Sequence, residues 1–307
     1  MTTGISMAGE AIIDLLVRVL MIGVNLLPEA LAEPFQYGFM QRALLTSIAV
    51  GAVCGLLSSY VILKRWSLLG DAISHAVLPG VAIAYLLGWP FFVGAFATGA
   101  LTSLGIGVIE RNSRIKSDAA MGLMFTAAFA LGVVIISQVT TSTHLMHILF
   151  GNVLGVRDPA LMLTLFTGAL ALMVVALYYK ELLIYAFDPV QARSLGLNTR
   201  AIHYGLILLL TLTIVASLET VGIILVVSML ITPGATAYLL VNRLPAMMIL
   251  STLIGVVSAV LGLFLAFQFN VASGGAIVLV ATGFFVLAFL FSPQRGMVSA
   301  WIRAGAS

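Results

Sequence analysis

The sequence has 307 residues, of which 62% are hydrophobic and 8% charged, and its mean hydropathy is +1.18. A soluble domain carries about a quarter charged residues, so this composition excludes a soluble globular protein and indicates a polytopic membrane protein. The net charge of +3 is small and the basic residues form short clusters rather than a stripe, which argues against nucleic-acid binding.

The N-terminal segment differs from the rest of the chain. Residues 8–27 are apolar but carry Glu10, Asp14 and Arg18 at four-residue intervals, which places the three charges on one face of a helix. This pattern favours an amphipathic helix at the membrane interface over a true membrane span. Residues 1–34 are therefore predicted to form an N-terminal extension outside the transmembrane domain.

Nine apolar segments follow, each long enough to cross a bilayer, although the hydropathy also allows a count of eight or ten. They are 39–63, 67–87, 90–109, 119–139, 160–179, 201–218, 221–241, 246–269 and 274–291. Basic clusters at 64–65 and 110–116 are separated by two spans, so the positive-inside rule places both in the cytoplasm. The sequence predicts an all-α transmembrane domain over 35–295 and a cytoplasmic tail over 296–307.

The second span contains a carboxylate and an imidazole four residues apart, Asp71 and His75. On a helix these positions share one face, and a carboxylate oxygen with an imidazole nitrogen suits a divalent first-row metal. Ionisable groups inside a span are costly, which points to function. Pro79 and Gly80, one turn further on, predict an interrupted helix, and both are candidate gate or kink residues.

A structural role for this pair remains the alternative. Asp71 and His75 could form a buried ion pair that only orients two helices. Lys64 and Arg65 precede Asp71 by six residues, which is roughly 9 Å of helix. Asp71 is therefore predicted to lie in the inner third of the bilayer, unless residues 65–70 dip inward.

Two further signals concern helix ends and bends. Ser117 or Asp118 is predicted to cap the helix of the fourth span. Thr232, Pro233 and Gly234 lie inside the seventh span and predict a kink or an unwound turn, so they too are candidate gate residues.

A short cytoplasmic helix is predicted over 189–195. Asp188 before Pro189 is a helix-start signal, and Gly196 suits the helix C-terminus. His203 follows at the start of the sixth span, and its position predicts no role.

His144 and His147 lie three residues apart in the predicted outer loop and are weak candidates for capturing a metal at the entrance. Acidic residues are missing nearby, so an ordinary interfacial location is the favoured interpretation.

Several stretches together resemble the permease subunits of manganese, zinc and iron ABC importers. The stretches are Ser67 to Gly80 (SLLGDAISHAVLPG), Phe150 to Gly155 (FGNVLG), Phe187-Asp188-Pro189 with Ala192 and Leu195-Gly196, and Thr232 to Tyr238 (TPGATAY). They occur in the order of that family and extend the resemblance over about residues 35–295. The wording of these motifs is closer to the manganese/iron branch than to the zinc branch.

The resemblance implies a fold similar to type II ABC importer permeases, such as those for vitamin B12, in a bacterial inner membrane. It implies pairing with a second permease copy or a sister permease, two copies of a cytoplasmic ATP-binding subunit, and a periplasmic or lipoprotein metal-binding protein. It assigns Asp71 and His75 to the metal pathway. It also implies an ATPase-coupling helix that includes Phe187, Asp188, Pro189, Ala192, Leu195 and Gly196.

The resemblance further implies transport of Mn²⁺, with Zn²⁺ or Fe²⁺ as alternatives, and no permanently bound cofactor. The sequence lacks a G-x-x-x-x-G-K-[S/T] motif, so the chain is predicted to be no enzyme and to leave ATP hydrolysis to a separate subunit. A proton-coupled single-chain metal carrier remains the alternative class. An intramembrane metalloprotease is disfavoured because H-E-x-x-H does not occur.

Overall fold

The computed structural model of the protein describes residues 2–25, 32–138, 153–292 and 296–297, with side chains from Gly9 onward. These residues are almost entirely helical and contain no β-strand. The α-helices are α1 (Thr2–Val24), α2 (Gly38–Leu63), α3 (Leu69–Leu87), α4 (Phe91–Asn112), α5 (Ser117–Ser137), α6 (Asp158–Leu177), α7 (Tyr179–Phe187), α8 (Pro189–Ser194), α9 (Thr199–Val221), α10 (Ile223–Leu240), α11 (Leu244–Phe269) and α12 (Ser273–Phe291).

Nine helices of the described ranges are long and apolar enough to cross a membrane, namely α2 to α6 and α9 to α12. The predicted all-α, nine-span membrane fold is therefore confirmed. The junction between the sixth and seventh spans was predicted at Glu219 and Thr220, which is wrong. Both residues belong to the last turn of α9, and the break falls at Gly222, whose φ of +81° favours glycine.

The spans pack in two groups. One group comprises α2, α10, α11 and α12, and the other comprises α3, α4 and α5; α9 touches both, and α6 packs against α9 and α2. Glycines permit the closest approaches: a Cβ on Gly80 of α3 would overlap the carbonyl oxygen of Gly94 in α4, and Gly51 of α2 faces Gly255 of α11 in the same way. Small residues at such crossings are how membrane helices gain contact without a hydrophobic driving force.

Helix α1 packs against α2 and α6 through a small apolar cluster of Ile13, Leu45 and Leu161. Beside this cluster, Arg42 of α2 and Asp158 of α6 form an ion pair of 2.9 Å. The interfacial position of α1 and the proposed division into 1–34, 35–295 and 296–307 stay predictions.

Neither proline-containing span is broken. Helix α3 continues through Pro79 and α10 through Pro233, so the predicted interruption and the predicted unwound turn are wrong. In α10 the neighbouring helix stabilises the proline turn: Ser58 of α2 accepts a hydrogen bond from the Gly234 N–H at 2.8 Å and donates to the Ile231 carbonyl at 3.3 Å. Such side-chain partners are what allows proline inside a membrane helix.

Two other local predictions also differ from the structure. Lys116 occupies the N-cap position of α5 and no side chain caps this helix, so capping by Ser117 or Asp118 is wrong. Asp118 instead lies in the first turn, where its charge favours the helix dipole. Between the predicted spans 160–179 and 201–218, only the helix over 189–195 is predicted, but the structure adds α7, which contains Lys180 and Glu181.

Candidate functional site

Asp71 and His75 lie on one face of α3, as their spacing predicts. Nε2 of His75 is 3.5 Å from Oδ1 of Asp71, and the side chains are 33% and 49% exposed, respectively. The separation exceeds that of a strong hydrogen bond. Both groups therefore keep ligand capacity on an open side of the helix.

The pair lies at the N-terminal end of its span, which the positive-inside rule predicts to be the cytoplasmic end. Asp71 is in the first turn of α3, directly after the turn that contains Lys64 and Arg65. Trp66 in this turn is only 2% exposed, and its carbonyl accepts a hydrogen bond from the Leu69 N–H at 2.9 Å. Helix α3 therefore begins directly after the turn, and residues 65–70 do not extend as a separate segment into the membrane. With the basic turn on the cytoplasmic side, this geometry favours the inner third of the membrane for Asp71.

Two aromatic rings of α5 hold the imidazole of His75. The ring centroids of Phe125 and Phe129 lie 5.2 and 5.6 Å from that of His75, with interplanar angles of 62° and 89°. These edge-to-face contacts restrict the imidazole orientation. Sequence reasoning missed both residues, although an aromatic pair at i, i+4 in the neighbouring span was an available signal.

The pair alone does not complete a metal site. Metal–ligand bonds of about 2.1 Å put neighbouring ligand atoms of an octahedron about 3 Å apart, so a small rotation would let both side chains bind one ion. Among the described residues, no group of three or more His, Cys, Asp or Glu side chains could hold a metal ion. Further ligands for an ion bound by this pair would have to come from water, backbone carbonyls, a second protein chain or residues outside the described ranges.

The candidate gate residues lie at helix contacts. Pro79 and Gly80 are buried where α3 crosses α4, and a Cβ on Gly132 of α5 would come within about 3.0 Å of the Pro79 ring. Leu230 of α10 lies against Gly70 at the start of α3. The Thr232-Pro233-Gly234 turn therefore belongs to a helix that touches the one bearing the metal pair, and its role as a gate or kink stays a prediction.

Helix α8 matches the predicted cytoplasmic helix. The Asp188 carboxylate caps it by accepting from the Val190 and Gln191 N–H groups at 2.8 and 2.9 Å. Gly196, with φ of +81°, ends it, and the Leu197 N–H donates to the Ala192 carbonyl at 3.0 Å. This is the glycine C-terminus that the sequence predicts.

The exposed face of α8 differs from the sequence-based expectation. Ala192 is fully buried within the chain, so it cannot contact a docked subunit directly. Phe187, Val190 and Leu195 are instead 57%, 70% and 60% exposed. Sequence reasoning missed Val190, whose signal was an apolar side chain in a polar cytoplasmic interval.

Behind α8 lies a polar cluster that the sequence did not reveal. Tyr185 of α7 and His203 of α9 are both buried, and the Tyr185 hydroxyl and Nδ1 of His203 share a hydrogen bond of 2.7 Å. Nζ of Lys64 lies 3.9 Å from the centre of the Tyr185 ring. The expectation that His203 has no role rested on its position alone and ignored these contacts.

The charges around this cluster affect its protonation. Burial, with the added charge of Glu110, raises the pKa of the Tyr185 hydroxyl, so it keeps its proton at neutral pH. Burial lowers the pKa of the Lys64 ammonium, and Glu110 opposes that change. The cluster borders a cavity of about 230 Å³ that also touches Pro189 and Arg193 of α8.

His144 and His147 lie outside the described residues, as does Phe150-Gly151-Asn152 of the second resemblance motif.

Most of the chain matches a known protein family. The model of the ABC 3 transport family matches residues 36–292. The manganese transport system membrane protein MntC of Listeria innocua is 55% identical over 263 residues, 86% of this chain and 94% of the relative. The chelated iron transport system membrane protein YfeD of Yersinia pestis is 46% identical over 269 residues, 88% of this chain and 91% of the relative.

A solved structure has a similar fold. A chain in the structure of PsaBC from Streptococcus pneumoniae in complex with Fab superposes with a TM-score of 0.78 and 44% sequence identity. The match covers 90% of this chain and 99% of the other.

Proposed function

Because the chain belongs to the ABC 3 transport family, we propose that it is the transmembrane permease subunit of an ATP-driven importer of divalent transition metal. Its relatives are named for manganese and for chelated iron, which favours Mn²⁺ as the substrate with Fe²⁺ second. A zinc-specific importer is the neighbouring alternative. The single observation that carries the metal role is the Asp71–His75 pair, open on one face of a membrane helix.

The chemistry of the pair suits an ion that passes rather than stays. A carboxylate and an imidazole bind Mn²⁺, Fe²⁺ and Zn²⁺. Two ligands hold a dication weakly, and a transport site must release its substrate. The edge-to-face contacts with Phe125 and Phe129 fix the imidazole, so binding costs little further ordering.

A second permease chain would add the missing ligands. In a two-fold symmetric pair, the same surface of each copy meets the other, so a second Asp71 and His75 would approach the first pair near the axis. Four protein ligands and waters would then complete an octahedron. A sister permease with equivalent residues would serve equally.

The location of the pair sets the path. Leu87, at the other end of α3, is sixteen residues from Asp71, which is about 24 Å of helix. An ion delivered by an extracytoplasmic binding protein would therefore cross most of the membrane before it reaches the pair. Release to the cytoplasm would follow when the ATP-binding subunits change the arrangement of the helices.

The energy source must be another subunit. The chain has no phosphate-binding loop motif. Val190 on α8 and Leu195 directly after it are exposed apolar residues on the side where a cytoplasmic subunit would dock. We assign α8 as the helix that docks in a groove of an ATP-binding subunit. A permease pair has two such helices and would therefore bind two ATP-binding subunits.

The test is manganese uptake by proteoliposomes that contain the permease, its ATP-binding subunits and the binding protein. ATP enclosed in the lumen, which the cytoplasmic side of the permease faces, should drive uptake. A proton uncoupler should leave this uptake unchanged. Uptake by the permease chain alone, abolished by the uncoupler and indifferent to ATP, would instead establish the proton-coupled carrier. Competition with Fe²⁺ and Zn²⁺ separates the candidate substrates.

The role of the pair is tested by Asp71→Asn in the same system. The amide keeps the size of the side chain but loses the charge, so uptake should be abolished while the ATP-binding subunits still co-purify. Asp118→Asn is the matched control, because Asp118 is likewise a carboxylate in the first turn of a span but lies on the exposed face of α5. Normal uptake by Asp71→Asn would refute the assignment.

A further inference from the structure

Three aromatic side chains from separate parts of the chain meet between α8 and the start of α3. His203 of α9 bonds to the Tyr185 hydroxyl at 2.7 Å, and its ring packs edge-to-face on Trp66, with 5.3 Å between centroids and 71° between planes. The three residues are 8%, 4% and 2% exposed, respectively for His203, Tyr185 and Trp66. Such burial makes the contact part of the packed interior rather than a surface encounter.

Trp66 controls where α3 begins. The Trp66 N–H donates to the Val61 carbonyl at 2.9 Å and the Arg65 N–H to the Ile62 carbonyl at 3.1 Å, which together close the end of α2. Arg65 adopts a φ of +58°, a conformation that normally favours glycine. The surrounding packing must hold this strained turn, and two of its side chains reach the rest of the protein: the buried Trp66, against His203, and Lys64, over the Tyr185 ring.

The other end of the contact is joined firmly to α8. Only Asp188 separates α7 from α8, and its side chain caps α8 with two hydrogen bonds. On the far side of α8, the Asn198 side chain accepts from the Ala201 N–H at 3.1 Å and caps α9. Displacement of α8 therefore moves α7 and the first turns of α9 together, and both helices carry a member of the aromatic contact.

We propose that Tyr185, His203 and Trp66 are positioning residues that transmit displacement of α8 to the start of α3, and so to Asp71 five residues beyond Trp66. The contact links the helix where ATP-binding subunits dock to the helix that carries the metal pair. This inference rests on the proposed function. It adds that the Tyr185–His203 hydrogen bond and the His203–Trp66 ring contact couple hydrolysis to metal movement, beside the contact of Lys64 with the Tyr185 ring.

The test is the ratio of manganese taken up to ATP hydrolysed, measured in the reconstituted complex. Tyr185→Phe removes only the hydroxyl and keeps the ring, so α7 and α8 should stay in place. We expect the uptake-to-hydrolysis ratio to fall about fivefold or more, while hydrolysis and co-purification of the ATP-binding subunits stay within twofold of wild type. Trp66→Phe should lower the same ratio, and the double variant should be no worse than the poorer single variant.

Tyr60→Phe is the matched control, because the buried Tyr60 hydroxyl bonds to Sδ of Met248 in α11 at 3.7 Å and is not a member of the aromatic contact. Its ratio should equal wild type. An unchanged ratio in Tyr185→Phe would overturn the inference, as would an equal fall in the control. Loss of co-purification together with uptake would also overturn it, because Tyr185 would then only hold α8 in shape. If the wild-type complex shows no ATP-dependent uptake, it is the proposed function that fails.

Discussion

The hydroxyl of Ser58 in α2 bonds to two backbone groups of α10 at the Pro233 turn. Ser58 is fully buried, and its Oγ accepts from the Gly234 N–H at 2.8 Å and donates to the Ile231 carbonyl at 3.3 Å. Pro233 between these two groups has no N–H of its own. Ser58→Ala should therefore remove both of these bonds between α2 and α10.

The expected cost follows from these two bonds. A buried polar group that loses its partner costs about 1–3 kcal/mol in proteins generally. Interhelical side-chain bonds in membranes average about 0.6 kcal/mol and reach about 1.7 kcal/mol. Because the substitution removes two bonds at a fully buried position, we expect Ser58→Ala to cost about 1–2 kcal/mol.

Ser59→Ala is the neighbouring control. Ser59 shares a 2.9 Å bond with Ser251, but the Ser251 hydroxyl is also 3.1 Å from the Met248 carbonyl and keeps that acceptor. The control should cost about 0.6 kcal/mol or less. The assay is equilibrium unfolding in mixed detergent micelles, followed by circular dichroism. Equal unfolding free energies for the two variants would show that the Ser58 bridge does not stabilise the proline turn.

Three further substitutions test other contacts. Val190→Asp should abolish co-purification with the ATP-binding subunits, because it places a charge where the exposed apolar side chain of α8 would contact such a subunit. Val190→Thr should reduce co-purification to an intermediate level. Co-purification of the Val190→Asp variant at the wild-type level would contradict this docking. Phe129→Leu should weaken metal uptake by about tenfold, because the His75 imidazole loses a ring contact that restricts its orientation. Phe289→Leu is the control, because its ring belongs to a stacked pair in α12. An equal effect of both substitutions would show that the loss is not specific to the His75 contact. Gly80→Ala should destabilise the fold by about 1–3 kcal/mol, since its Cβ overlaps the backbone of α4. Gly122→Ala, with open space around the new Cβ, should not, and thermal unfolding of both decides.

Hydropathy predicted the spans because a membrane helix must be long and apolar throughout. Caps were predictable where the chain itself supplies both partners, as with Asp188 and Gly196 at the two ends of α8. The prolines show the limit of such local reasoning. The two hydrogen bonds beside Pro233 come from Ser58, which lies on another span and is far from Pro233 in sequence.

The same limit applies to the candidate site. Asp71 and His75 were predictable because one helix carries both, and their i, i+4 spacing determines their proximity. The contact of Tyr185 with His203 depends on the packing of α7 against α9. Helix α7 was not predicted, because the charged Lys180 and Glu181 interrupt the apolar pattern of the sequence. The burial of Ala192 likewise follows from which face of α8 packs inward, which six residues are too few to indicate by periodicity.

We propose that His75, with Asp71, coordinates the transported ion. Pulsed electron paramagnetic resonance of Mn²⁺, added below the concentration of the purified importer complex, measures this coordination directly. We expect echo modulation from a histidine nitrogen bound to Mn²⁺ in the wild-type complex and its loss in His75→Ala. Nitrogen modulation that persists in His75→Ala would contradict the claim.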